Sequence, residues 1–97
     1  MKVRWSRLAL ADLADALEYL NSRNPVAAAG LERRIASIET RIAQFPYSAQ
    51  EVAERPGVRR VPLVRYPQLL FYTVHGGEAV ILRVLHGAMD KPWERLR

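Results

Sequence analysis

Helical periodicity in this chain is confined to its first half, and that restriction decides the fold class. Between Leu8 and Phe45 apolar residues recur at spacings of three and four. Beyond Pro46 they alternate, or run together in short stretches bounded by glycine and proline. A chain whose helices precede most of its strands folds as α+β, with the helices gathered on one face of an antiparallel sheet. Its 97 residues have room for one core, so residues 1–97 are read as a single domain.

The elements follow from local chemistry. Val3 and Trp5 alternate with Lys2 and Arg4, which predicts a short half-exposed strand. Ser6 is a suitable N-cap for a helix carrying Leu10, Leu13, Leu17 and Leu20 on one side and Asp12, Asp15 and Glu18 on the other. Asn24-Pro25 opens a second helix, asparagine as cap and proline where its missing N–H is not needed. That helix carries Ala28, Leu31, Ile35, Ile38 and Ile42 and ends near Phe45-Pro46. The pair should form an antiparallel hairpin. A polar loop over residues 46–57 precedes strands expected at 58–64, 69–74 and 79–85. Pro62 suggests an edge or a bulge, and Gly76-Gly77 a tight hairpin turn. Residues 90–97, with Pro92 and a Trp93/Leu96 pair, read as a short helical or irregular tail folded over the sheet. The expected order is β-α-α-β-β-β, with the helix hairpin on one face of a twisted antiparallel sheet.

Several chemistries lack their residues. There is no cysteine, no Gly-rich phosphate loop, no HExxH and no nucleophile elbow, and the two histidines cannot make a histidine-rich metal site. No cofactor or metal is expected. The first residues lack the apolar run of a signal peptide, and no stretch is long enough to span a bilayer, so a cytoplasmic protein with no membrane partner is expected.

What remains is basic and aromatic. The net charge is +5, and lysine occurs only at Lys2 and Lys91, so the positive charge is carried by arginine. Arginine favours planar, bidentate contacts with phosphate or carboxylate. No acid falls between Arg55 and His75, a span holding Arg59, Arg60 and Arg65 with Tyr66 and Tyr72 interleaved. In the last strand, alternation assigns Val80, Leu82 and Val84 to the core and turns Arg83 away from the helices with Ala79, Ile81 and Leu85. The arginines then form a positive sheet face able to hold phosphate or a carboxylate-bearing peptide, or a face that is simply solvated. Tyr72 shares the parity of Leu70 and Val74, which favours core packing. His86 shares that of Val84, which favours a buried hydrogen-bonding residue over a base. Trp5 and Trp93 read as packing residues.

At this point the residues resemble a known family. Val3-x-Trp5-Ser6 with Ala11-Asp12-Leu13, Asn24-Pro25 with Ala27-Ala28, Gly57-Val58-Arg59-Arg60, Tyr66-Pro67 and Phe71-Tyr72 are similar, in order, to segments of RelE/ParE toxins. The resemblance implies the same two-helix, one-sheet fold and a type II toxin–antitoxin pair. A small, usually acidic cognate antitoxin would dock on Leu10, Leu17, Arg59, Arg60, Arg65 and Tyr72, and operator DNA would be met only through that antitoxin. RelE-like relatives cleave messenger RNA on the ribosome; in that case Arg59, Arg65, Arg83 and His86 would be catalytic. Such enzymes usually carry further basic or aromatic residues after the last strand, where this chain has Gly87-Ala88-Met89-Asp90. ParE-like toxins often end with a leucine-histidine pair followed by Met-Asp, which Leu85-His86-Gly87-Ala88-Met89-Asp90 resembles, as Glu94-Arg95-Leu96 resembles their tail. This branch implies a growth-inhibiting toxin without catalytic residues that traps DNA gyrase on cleaved DNA, through Arg83, His86, Met89, Asp90 and Trp93.

Overall fold

The structure, a computed structural model, describes residues 1–96; Arg97, the last residue of the expected tail, lies outside them. The elements are β1 (Lys2–Trp5), α1 (Arg7–Arg23), α2 (Pro25–Gln44), β2 (Gln50–Glu51), β3 (Val58–Pro62), β4 (Gln68–His75), β5 (Glu78–His86) and a 3₁₀ turn (Pro92–Arg95). Two helices pack against one five-stranded sheet in the order β1-β5-β4-β3-β2. The expected α+β order holds. Two features extend it: β1 runs parallel to β5, making the sheet mixed, and the polar loop contributes the two-residue strand β2.

The predicted caps form. Ser6 Oγ accepts from the Ala9 N–H at 3.0 Å, and Asn24 Oδ1 from that of Ala27 at 3.1 Å. Asn24 both closes α1 and opens α2, so one residue makes the hairpin. Gly76 and Gly77 take φ values of +59° and +79° between paired His75 and Glu78, the two-residue turn their sequence predicts. Pro62 ends β3, beyond the two positions that β2 pairs, so its missing N–H interrupts no ladder there.

The helix-side core is built from Leu31, Ile35, Ile38 and Ile42 of α2, Ala9 of α1, and Leu70, Tyr72, Ala79, Ile81 and Val84 of the sheet. On α1 the inward stripe is Ala9, Leu13, Ala16, Leu17 and Leu20. Leu10, expected in that stripe, is 53% exposed, and Asp12, expected among the solvent-facing acids, is largely covered. A second apolar cluster occupies the opposite sheet face. Val52, Val58, Phe71, Leu85 and Leu96 are buried there, with Met89 and Trp93 packed against them. The tail therefore covers the sheet face away from the helices. No helix among the described residues is long and apolar enough to cross a membrane.

Alternation along β5 does not run through. Tyr72 pairs with Ile81 and Phe71 with Arg83, which leaves Leu82 as an extra residue in a bulge. The parity assignment is corrected accordingly. Ala79, Ile81 and Val84 face the helices, Val80 is not part of that core, and Leu82 and Leu85 join the far cluster.

Gly30 sits mid-helix, where glycine costs about 1 kcal/mol relative to alanine. Its reason is contact: a Cβ there would overlap the Tyr66 hydroxyl, which donates to the Ala27 carbonyl at 3.1 Å and clamps the β3–β4 loop to α2. Gly30→Ala should therefore lower the melting temperature instead of raising it. In a Tyr66→Phe background the next ring atom, Cζ, lies 3.8 Å away and leaves room, so the same change should be stabilising. A four-protein thermal-unfolding cycle reads the sign directly; stabilisation in both backgrounds would refute the clamp.

Candidate functional site

The site grows from the place where β1 stops. β1 pairs with β5 only as far as Trp5 and Ile81, and the outer edge of β5 beyond that has no strand beside it. The start of α1 takes over. The Ser6 N–H donates to Ile81 O at 2.9 Å, Ser6 Oγ donates to Leu82 O at 2.8 Å, and Asp12 Oδ2 accepts from the Val84 N–H at 2.9 Å. Unpaired edge groups are thus satisfied by the Ser6 backbone and by the Ser6 and Asp12 side chains.

The bulge at Leu82 brings Arg83 over this edge. Its Nε donates to Asp12 Oδ2 at 2.8 Å and its Nη2 to Asp12 Oδ1 at 3.0 Å, a bidentate pair with side-chain exposures of 16% and 15%. Nη1 donates to the Arg95 carbonyl at 3.3 Å, reaching the tail. Hydrogen bonding to the Asp12 carboxylate raises the Arg83 pKa above the ordinary arginine value and so favours its charged form. Arg83 keeps the face that alternation predicts, opposite Phe71 and away from the helix-side core, but its guanidinium turns over the open edge to Asp12. It joins α1, β5 and the tail.

The tail begins in a tight turn. The Ala88 N–H donates to His86 Nδ1 and the Met89 N–H to His86 O, both at 3.1 Å, while the Gly87 N–H reaches Pro67 O at 2.6 Å. His86 is exposed, not buried, because it lies past the last buried residue of the strand; its ring holds the turn. Downstream, Arg55 Nη1 donates to Trp93 O at 3.1 Å, and Leu96 inserts completely into the far cluster. Between the tail and the β2–β3 segment lies a groove of ≈ 450 Å³ lined in part by Glu51, Arg60, Phe71, Met89, Asp90 and Trp93. Asp90 is exposed, and Met89 and Trp93 are half-buried.

The remaining sequence-derived candidates are dispersed. Arg59 Nη1 donates to Tyr47 O at 2.9 Å and Ala49 O at 2.6 Å, holding the β2 loop. Arg60 Nη2 donates to Gln50 Oε1 at 3.2 Å on the opposite sheet face and stays exposed. Arg65 lies in the β3–β4 loop against α2, away from the Asp12–Arg83 pair. The structure therefore does not bring Arg59, Arg65, Arg83 and His86 to one point, and no continuous arginine face forms. Tyr72 is fully buried and donates to Pro46 O at 2.7 Å, so the core reading holds and a partner cannot touch it. Burial raises its pKa and keeps the phenol neutral. Leu17 is half-buried and Leu10 open.

Sequence reasoning missed Asp12 and Arg55. The signal for Asp12 was present: Ala9, Leu13 and Ala16 flank it at helical spacing, and the two alanines mark a close approach to the sheet. Arg55 reaches its carbonyl through tertiary folding across 38 residues, and no local pattern announces it.

A helix hairpin on a five-stranded sheet, with a tail latched over the far face, defines a small α+β domain with an excess of arginine. The chain belongs to the ParE toxin family of the type II toxin–antitoxin system parDE, whose family model matches residues 3–91. Among solved structures it is similar to a chain of the chromosomal ParDE TA system from P. aeruginosa, with a TM-score of 0.76 and 30% sequence identity, covering 89% of this chain and 95% of that one. No curated protein sequence matches it.

Proposed function

We propose that this ParE-family toxin acts in the cytoplasm by holding DNA gyrase on cleaved DNA, making and breaking no bond itself, and that a cognate antitoxin neutralises it. The observation that carries the reading is the latched tail. Arg83 and Arg55 hold it by two backbone carbonyls, Leu96 anchors its end, and Asp90 is left exposed beside half-buried Met89 and Trp93. Such a tail is a presented surface, held by residues that are themselves turned inward. Arg83 then serves as a positioning residue, and His86, Met89, Asp90 and Trp93 form the surface offered to the target. The scattering of Arg59, Arg65, Arg83 and His86 supports a binding role over ribonuclease chemistry, which requires acid, base and cations around one phosphate.

For the antitoxin, Leu10 and Leu17 on α1 provide apolar contacts and Arg60 a free charge. Arg59 contributes indirectly by fixing the β2 loop. Incubating the purified protein with gyrase, ATP and supercoiled plasmid should accumulate linear, protein-linked DNA, and Asp90→Ala with Trp93→Ala should reduce it at least ten-fold. Undisturbed supercoiling by the folded protein would refute the gyrase reading.

A further inference from the structure

The β3–β4 loop and α2 enclose a second polar pocket, on the far side of α2 from Glu32, of ≈ 340 Å³ and lined by Gly30, Arg33, Arg34, Ser37, Arg65 and Tyr66. No acidic residue lines it, and none of its arginines forms a salt bridge among the described residues. Some other arginines of this protein are used internally: Arg4 pairs with Glu78, Arg83 with Asp12, and Arg55 and Arg59 hold carbonyls. Arg33, Arg34 and Arg65 have no such employment.

The arrangement is also costly to assemble. Like charges gathered in one place repel, and folding alone gives no return for it. Arg65 is held at φ +78°, a left-handed conformation that is strained for a residue with a side chain. Gly30 forgoes helix propensity so that Tyr66 can reach Ala27 and set the loop against α2. The clamp and the strained residue together place Arg65 on the same pocket as Arg33 and Arg34. From this we infer that the pocket is an anion site for backbone phosphates of a nucleic acid, bound without regard to base sequence. Its lining is mostly polar and lacks the apolar anchor that a peptide segment needs to dock. Planar guanidinia beside a serine hydroxyl match the several acceptor oxygens of a phosphodiester. The inference does not depend on gyrase, because the contact is to nucleic acid itself.

Anisotropy of a fluorescent 20-base-pair duplex of arbitrary sequence, titrated with the full chain over a range of salt, gives the slope of log K against log salt. Each phosphate contact contributes about 0.9 to that slope. Arg33→Ala/Arg65→Ala should lower its magnitude by about two and weaken binding about ten-fold or more at low salt. Lys2→Ala/Arg7→Ala removes the same charge outside the pocket and should leave most of the slope in place. Circular dichroism confirms that each variant is folded. Equal losses in both variants, or no duplex binding by the unaltered protein, would overturn the assignment. So would a pocket variant that binds duplex normally but loses affinity for a polyglutamate peptide, which would make the pocket an acidic-peptide site instead.

Discussion

Replacing Asp12 with alanine should lower the unfolding free energy by about 3–5 kcal/mol, a large share of what a domain of this size possesses. The side chain does two things. Both carboxylate oxygens bind the Arg83 guanidinium, and one also receives the Val84 N–H of an otherwise open strand edge. Truncation leaves a largely buried cation without its partner and a backbone donor without an acceptor. Asp12→Asn keeps an acceptor for Val84 but loses the charge, and should fall between wild type and alanine. Removing both partners in Asp12→Ala/Arg83→Leu should cost less than Asp12→Ala alone, because no buried charge remains. Urea midpoints at constant m value test the series. A loss below about 1 kcal/mol for Asp12→Ala would show that water replaces the carboxylate readily and that the pair does not hold the edge.

Leu96→Ala should cost about 2–4 kcal/mol, within the range for emptying a fully buried leucine site. Leu96 is completely excluded from solvent, in a cluster with Phe71, Leu85, Val58 and Val52. Leu96 is the buried anchor of the tail, so the loss should be felt first there. Amide exchange of residues 89–96 should accelerate more than that of β4. The contrast is Leu10→Ala: the same substitution at a residue 53% exposed should change stability by no more than about 0.5 kcal/mol. A silent Leu96→Ala would mean that the tail is not seated as described, and the presented surface proposed for gyrase would lose its support.

The division between what was legible and what was not follows the range of the interactions. Helix caps, the Asn24 hinge and the Gly76-Gly77 turn are settled within a few residues, and their residue types announce them. The bulge at Leu82 carries neither glycine nor proline, so an apparently unbroken alternation from Ala79 to Leu85 hid a change of face. That single inserted residue reversed the assignments of Ala79, Val80, Ile81 and Leu82. The site suffered more, because Arg83 and Asp12 are 71 residues apart in sequence. An arginine in a strand reads as a charge offered to solvent until the acid that claims it is placed by the fold. The family signature and the tail were readable in advance; the latch beneath the tail was not.

The parallel pairing of β1 with β5 has a temporal side. Lys2 lies opposite Glu78, Ser6 closes on Leu82, and Asp12 waits for Arg83. The first strand thus has no neighbour in the sheet until β5 has been made, and such distant closures are slow to form. Until the sheet is present, nothing in the fold covers the apolar stripe of the helix hairpin. β1 and α1 therefore gain their sheet contacts only when β5 arrives, whereas β2, β3 and β4 pair with one another without it.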